Sequence, residues 1–117
     1  MDFAFSFLQL FWIVLKIASP IILLLVMGIV VLGQIAGRFE KWQPLSTLYW
    51  SFITATTVGY GDIRPASRMG RFLAVIIAFN GLILFGVIAS LAVMATTEAA
   101  ALHADLSELR EVLKPND

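Results

Sequence analysis

The heptapeptide Thr56-Thr57-Val58-Gly59-Tyr60-Gly61-Asp62 lies between two long uncharged stretches of a chain of 117 residues. The first stretch covers residues 17–37 and the second covers residues 72–97. A helix rises about 1.5 Å per residue, so either stretch can cross a hydrocarbon core about 30 Å thick. The alternative is a pair of buried helices in a soluble protein, but neither stretch has a polar face. We therefore predict two transmembrane helices, an outer helix at 17–37 and an inner helix at 70–97.

The composition of the chain agrees with a membrane protein. Of its residues 60% are hydrophobic and 14% are charged, and the net charge is zero. Soluble domains are roughly 45–50% apolar and about 25% charged, so a cytosolic enzyme is disfavoured. Nucleic-acid binding is disfavoured too, because no basic excess exists to neutralise phosphates. The chain has no cysteine, which excludes disulfides and thiolate metal sites. We predict an all-α membrane protein that contacts lipid, is not an enzyme and binds no nucleic acid.

A third uncharged stretch, residues 43–61, surrounds the heptapeptide and differs in composition. It begins near Pro44, which suits the first turn of a helix, and it contains many hydroxyl side chains. Residues 45–56 read as a helix of about 18 Å, which is too short to cross a bilayer. The glycine-rich loop after it is tolerated at membrane depth only if protein buries it or it lines a water-filled cavity. The order is therefore helix, re-entrant short helix with a loop, and helix.

The two ends of the chain have their own patterns. Polar residues recur at helical spacing in residues 1–16, among several phenylalanines, which predicts a helix lying in the membrane interface. Pro20 is the expected break or kink after it. A simple extension of the first span is the alternative.

The tail, residues 98–117, is charged and is predicted to be a cytoplasmic amphipathic helix. Its apolar residues are spaced 3, 4, 3 and 4 apart, an a/d heptad pattern. They are Ala99, Leu102, Leu106, Leu109 and Leu113. The pattern favours a short bundle between copies, with a solvated surface helix as the alternative.

Residues 57–61, Thr-Val-Gly-Tyr-Gly, match the selectivity-filter sequence of potassium channels at every position. With the preceding Thr54, Ala55 and Thr56, and with the two-helix plan over residues 17–97, the chain resembles the pore domain of that family. The resemblance implies two transmembrane helices flanking a pore helix and a filter loop, assembled as a fourfold homotetramer. It implies passive conduction of K⁺, the permeant ion.

By this resemblance, the K⁺ ligands are the carbonyl oxygens of Thr57, Val58, Gly59 and Tyr60, with the Thr57 hydroxyl at the inner end. Stacked carbonyl rings replace the water shell of the ion. Aiming successive carbonyls one way needs some residues with positive φ, which Gly59 and Gly61 adopt without strain. The carbonyl end of the pore helix, near Thr56, is expected to favour a cation by its partial negative charge.

Several residues are expected to support the filter. Tyr60 is predicted to pack against the pore helix and to form an aromatic collar with Tyr49 and Trp50. Some small channels of this family carry a glutamate on the pore helix behind the filter, where this chain has Ile53. Asp62 lacks that partner here, and we hypothesise that Tyr49 or Trp50 holds the outer mouth instead, with altered inactivation.

The inner helix carries the expected gating residues. Gly81 matches the position at which the family often bends, although a glycine can equally serve close helix packing. Gly86 is a second hinge candidate. Asn80 is expected to form an interhelical hydrogen bond, with an ion ligand as the alternative. Cavity or inner-gate positions follow at helical spacing: Phe85, Ala89, Ser90 and Val93.

His103 is the only histidine and lies in sequence near Glu98, Asp105 and Glu108. A pH-sensing role is one interpretation, because histidine changes its charge between about pH 5 and 8. An exposed helix residue without such a role is the other.

Orientation is a point of conflict within the sequence. Residues 38–71 contain five basic and two acidic side chains, and a basic excess normally marks the cytoplasmic side. The resemblance instead places this segment outside and both termini in the cytoplasm of a cell-membrane, multi-pass protein. We follow the resemblance.

The predicted function is a potassium-selective pore subunit. It is either a minimal channel or the pore module of a larger one. A non-selective cation channel and a non-conducting structural subunit are the other hypotheses.

Overall fold

The computed structural model describes residues 2–115, and in that range it consists of three α-helices joined by loops. They are α1 (Phe3–Glu40), α2 (Pro44–Ala55) and α3 (Arg68–Leu113). Both α1 and α3 are long and apolar enough to cross a membrane. The prediction of an all-helical chain with two long apolar helices is therefore confirmed.

The first helix is continuous, and the predicted break at Pro20 is absent. Proline has no N–H, so the Lys16 carbonyl oxygen one turn earlier loses its helical donor. The Ser19 hydroxyl donates to that same oxygen at 2.8 Å. Hydroxyl side chains commonly restore backbone bonding around prolines in membrane helices. Residues 3–16 and 17–37 thus belong to one helix, as in the alternative interpretation, and Met1 lies outside the described residues.

The boundary between α1 and α2 is short and well defined. Lys41 has φ of 60°, and the Trp42 N–H donates to the Gly37 carbonyl at 3.0 Å. A left-handed residue with such a six-to-one bond is a Schellman ending, which satisfies carbonyls at a helix end. Proline then occupies the first turn of α2, where its missing N–H costs nothing. The helix runs one residue earlier than the predicted 45–56.

The third helix is also continuous, so the inner helix predicted at 70–97 and the tail are one element. Between Val87 and Leu113 the sequence has neither glycine nor proline to interrupt it, and it is rich in alanine. Ser67 caps its start, since its hydroxyl accepts the Gly70 N–H at 3.0 Å. The last two residues of the predicted tail lie outside the described range.

The chain forms two compact units. One comprises Pro20–Val87, and its core contains Ile29, Ala36, Trp50, Ala55, Leu73 and Ile77. In the other, which joins described residues 2–19 with 88–115, the buried side chains are Ser6, Ala95 and Ala99. The heptapeptide belongs to the first unit, and the tail to the second.

Candidate functional site

The loop that follows α2, residues 57–61, alternates in backbone handedness. Thr57, Gly59 and Gly61 have φ values of 63°, 50° and 82°. Val58 and Tyr60 are not among the described residues with positive φ. The predicted positive φ at the two glycines is confirmed, whereas the positive φ of Thr57 was not expected. A non-glycine residue in this region is uncommon and marks a backbone that its surroundings hold in place.

Backbone hydrogen bonds tie this loop to α2 and thereby turn some of its carbonyl groups away from that helix. The N–H of Thr57 donates to the Thr54 carbonyl at 3.3 Å, and the N–H of Gly59 donates to the Ile53 carbonyl at 3.0 Å. In a trans peptide the C=O points opposite to the following N–H. The carbonyls of Thr56 and Val58 therefore point away from α2. The loop can offer oxygens to a cation on that side without any charged side chain.

The inner end of the loop is tied to the last turn of α2 by one further residue. Thr56 directs its N–H and its hydroxyl to the Phe52 carbonyl, at 2.9 and 2.6 Å. Together with the Ile53 bond, these contacts use the final carbonyls of α2 as acceptors. Ile53 thus contributes its backbone oxygen to the loop, in addition to occupying the position of the family glutamate.

The predicted aromatic collar is not present within a single chain. Trp50 is buried, and its ring packs edge-on against Trp42 at 5.1 Å between centroids. Among the described residues Tyr60 makes no ring contact and is 72% exposed. The Trp42 partner was missed by sequence reasoning, and the only signal for it is a second tryptophan eight positions before Trp50.

The outer end of the loop is held by a side-chain hydrogen bond. The Tyr49 hydroxyl donates to Asp62 Oδ2 at 3.0 Å, and the Ile63 N–H donates to Asp62 Oδ1 at 3.0 Å. The hydrogen bond to this carboxylate, with smaller effects of desolvation and nearby negative charge, raises the pKa of Tyr49 above its ordinary value of 10.0. The structure thus gives Asp62 one of the two partners that we had hypothesised.

A second carboxylate fixes the segment that leads into α3. Glu40, the last residue of α1, accepts the N–H groups of Ala66 and Ser67, the latter at 2.9 Å. A negative charge at a helix start is favourable, because the first N–H groups are unpaired and positively polarised. Sequence reasoning counted Glu40 only as a charge. Its partners lie more than 25 positions away, so no local pattern could have identified them.

Glycines set the contacts of α2 with the long helices. A Cβ on Gly33 would lie 2.7 Å from Ser51 Cβ, and one on Gly37 would lie 2.6 Å from Thr47 Cγ2. A Cβ on Gly81 would lie 2.7 Å from the Ala55 carbonyl carbon. The structure therefore places Gly81 at a close helix contact, the second of its two interpretations. The Gly33–Gly37 pair is a GxxxG motif that could have signalled such a contact.

The remaining inner-helix candidates are exposed in the described chain. Apart from its chain neighbours and the backbone of its own helix, no atom lies within 4 Å of a Cβ built on Gly86. The four predicted cavity positions are all exposed: Phe85, Ala89, Ser90 and Val93.

Asn80 approaches α1 closely, since a Cβ on Gly28 would lie 2.6 Å from its Nδ2. Its Oδ1 is nonetheless buried without a hydrogen-bond partner in the described part of the chain. The expected interhelical hydrogen bond is thus not formed by that oxygen.

The ring of His103 contacts Phe3, with centroids 5.6 Å apart. Within residues 2–115 it makes no ion pair with Glu98, Asp105 or Glu108, since the one ion pair there is Lys114–Glu111. The acidic residues that lie near His103 in sequence therefore form no ion pair with it within the described residues. The residue is not fully exposed either, because its Nε2 is buried.

Comparisons with known proteins agree with this geometry. Residues 10–98 match the model of an ion channel family. The chain is 38% identical over 47 residues to TWiK family of potassium channels protein 7 of Caenorhabditis elegans, covering 40% of this chain and 8% of that protein. It is 32% identical over 59 residues to Potassium channel subfamily K member 2 of Homo sapiens, covering 50% and 14%.

A plant protein gives a similar match. Two-pore potassium channel 1 of Arabidopsis thaliana is 42% identical over 53 residues, covering 45% of this chain and 14% of that protein. The chain thus spans at most 14% of the length of these relatives. No solved structure matches it.

Proposed function

Because the chain belongs to the ion channel family that it matches over residues 10–98, we propose that it is a potassium-selective pore subunit. Ions cross passively, and K⁺ is bound by the carbonyl oxygens of residues 57–60 with the Thr57 hydroxyl. The observation that carries the proposal is the alternating backbone of this loop, with N–H groups of Thr57 and Gly59 bonded back to α2. Backbone oxygens on the opposite side can replace the water shell of a bare ion.

A single chain supplies only part of such a ring, so we propose a homotetramer around a fourfold axis. The exposure of Val58 and Tyr60, at 50% and 72%, supports this, because these apolar and aromatic side chains are free to contact neighbouring copies. The C-terminal end of α2, at Ala55, lies directly before the loop, and the helix dipole adds partial negative charge there. Both effects favour a cation without a charged side chain.

The proposed orientation places the Tyr49–Asp62 end of the loop outside a cell membrane and both termini in the cytoplasm. The basic excess of residues 38–71 opposes this orientation. Labelling of the tail in sealed vesicles tests it directly. In sealed right-side-out vesicles, protection of Glu111→Cys, an exposed position on the tail, from a membrane-impermeant thiol reagent supports the proposal, and full labelling contradicts it.

Ion flux from purified protein in liposomes tests the function. We expect flux that is selective for K⁺ over Na⁺ and blocked by barium. Gly59→Ala should abolish the selective flux, because the loop needs φ of 50° there, whereas Glu111→Gln in the exposed tail should leave it intact. Equal K⁺ and Na⁺ flux would indicate a non-selective channel. Absence of flux from an assembled tetramer would indicate a structural subunit.

A second candidate function is the pore module of a larger channel. It is supported by the match to only 8–14% of the length of these relatives. Both candidates share the same loop and predict the same liposome result.

A further inference from the structure

A stripe of leucines on the last turns of α3 has no cover within the described chain. Leu106, Leu109 and Leu113 are 43%, 54% and 79% exposed. Their spacing of three and four places them on one helix face. They continue the stripe that begins with Ala99 and Leu102.

The start of α1 packs against the first part of this stripe, where Ala99 is buried and Leu102 stays 44% exposed. Ala99 is fully buried, and the next residue on that face, His103, packs against Phe3 in the first turn of α1. Leu102 lines a cleft of the same unit together with Ser6 and Leu10. The helix α1 begins at Phe3, so the leucines after residue 103 extend past its first residue. The part of the predicted seam that lies past the start of α1 consists of its last three leucines.

Charged residues flank these leucines in a specific register. With Leu106 and Leu113 at a and Leu109 at d, Asp105 occupies g and Arg110 occupies e. In a parallel coiled coil the g residue of one helix approaches the e residue five positions later on its neighbour. An acid and a base at these positions attract across the seam. The only ion pair in the described chain is Lys114–Glu111, so Asp105 and Arg110 have no such partner within residues 2–115.

We infer that residues 105–113 bind the same segment of a second copy of this chain, in parallel. The three leucines face each other, and Asp105 pairs with Arg110 of the partner copy. The inference rests on the proposed fourfold assembly, since copies around one axis in a membrane present their tails in the same direction.

Attachment to the pore makes such a short contact sufficient. About one heptad cannot hold separate helices together in water, because helix nucleation and association both oppose it. Copies already joined in a tetramer present their tails to each other at an effective concentration in the millimolar range. The tail contact thus depends on the pore assembly, while the pore assembly does not depend on the tail.

The absence of cysteine makes the contact directly testable, because a single introduced thiol is unique. In full-length protein in liposomes, we expect Leu109→Cys to be cross-linked by a short bismaleimide into covalent dimers, because each chain then carries one thiol and each thiol forms one thioether. Ala104→Cys, at the outward f position, is the matched control and should cross-link at least about fivefold less. The molecular mass of the assembly is measured in parallel by native mass spectrometry.

Charge exchange tests the register in the Leu109→Cys background. Asp105→Arg or Arg110→Asp places like charges across each seam and should lower the cross-linking yield about threefold. The double variant exchanges the charges and should restore the yield, which a general loss of folding cannot do. A tetramer with equal yields at 104 and 109, or a double variant as poor as the single ones, overturns the inference alone. A monomeric wild-type protein overturns both it and the proposed assembly.

Discussion

The helix α2 is held in two physically different ways, at its helix contacts and along the loop that follows it. Against α1 and α3 it is held by close approach, with glycines 33, 37 and 81 facing Ser51, Thr47 and Ala55. Along residues 56–67 the chain is held by hydrogen bonds, including Tyr49–Asp62 and Glu40–Ser67. The helix contacts require that the glycines have no side chain, whereas the loop contacts require polar atoms that donate and accept hydrogen bonds.

This difference predicts different responses to substitution. A single methyl group at a glycine contact meets atoms that cannot move far, so the cost is steep. A hydrogen bond contributes about 0.5–1.5 kcal/mol net, so losing one loosens the loop by degrees. We therefore expect changes at the helix contacts to affect folding and assembly, and changes at the loop to affect its conformation.

The largest effect is expected for Gly81→Ala. The new methyl group would meet the backbone of Ala55, which cannot rotate away, so we expect a loss of about 3 kcal/mol in the free energy of unfolding. Unfolding in mixed detergent micelles, followed by circular dichroism, measures it. Gly86→Ala is the matched control, because no atom lies within 4 Å of its Cβ position apart from its chain neighbours and the backbone of its own helix. Equal losses in the two variants would contradict the steric explanation.

Gly33→Ala should cost less, about 2 kcal/mol, because it meets the Ser51 side chain and not backbone. Replacing Ser51 by glycine in the same chain removes the opposing Cβ and should recover part of that loss. Ser51→Gly alone costs about 0.5 kcal/mol in helix propensity, since serine already ranks below alanine, and must be measured as the reference. If the two substitutions prove additive, the contact between these residues does not limit the packing.

At the loop, Glu40→Ala should destabilise the start of α3 by about 1–2 kcal/mol through loss of a capping carboxylate. Hydrogen exchange resolved to single residues reports it, as faster exchange at Ala66 and Ser67. Glu40→Gln retains an acceptor oxygen and should exchange at an intermediate rate. Unchanged exchange in the alanine variant would show that another group satisfies these N–H donors.

The smallest effect is expected for Tyr49→Phe, which removes one exposed hydrogen bond to Asp62 and should cost about 1 kcal/mol. The outer end of the loop should loosen, giving faster inactivation of K⁺ currents. Asp62→Asn keeps an acceptor for the hydroxyl and should inactivate more slowly than Tyr49→Phe. Identical inactivation rates in the wild type and Tyr49→Phe would show that the Tyr49–Asp62 hydrogen bond does not control inactivation.

The same bond has a predicted pH dependence. Because the pKa of Tyr49 is raised above 10.0, the hydroxyl keeps its proton, and the bond persists, throughout the range below pH 10. The contribution to stability is lost only as pH rises through the raised value. Ultraviolet titration of tyrosine should find this group ionising later than a free tyrosine. Asp62→Asn should shift the titration back towards 10.0, and no shift would contradict the assigned cause.

Much of the fold was predictable because it depends on local patterns. The lengths of the two uncharged stretches indicated the two long helices. Pro44 and the glycine-rich loop that follows the short helix located α2 to within one residue. The positive φ of Gly59 and Gly61 followed from residue type. The errors were also local in origin, since Ser19 compensates for Pro20 and the alanine-rich sequence carries α3 through to Leu113.

The sequence by itself determined the composition of the membrane segments, the short helix and the glycine-rich loop that follows it. These features depend on residues that are neighbours in the chain, whose spacing is fixed by helix geometry and by the conformational freedom of glycine. Only the tertiary structure decided that Gly81 meets Ala55, that Trp42 packs on Trp50 and that Glu40 caps α3. Such contacts join distant positions, and only the packing of all three helices brings them within reach.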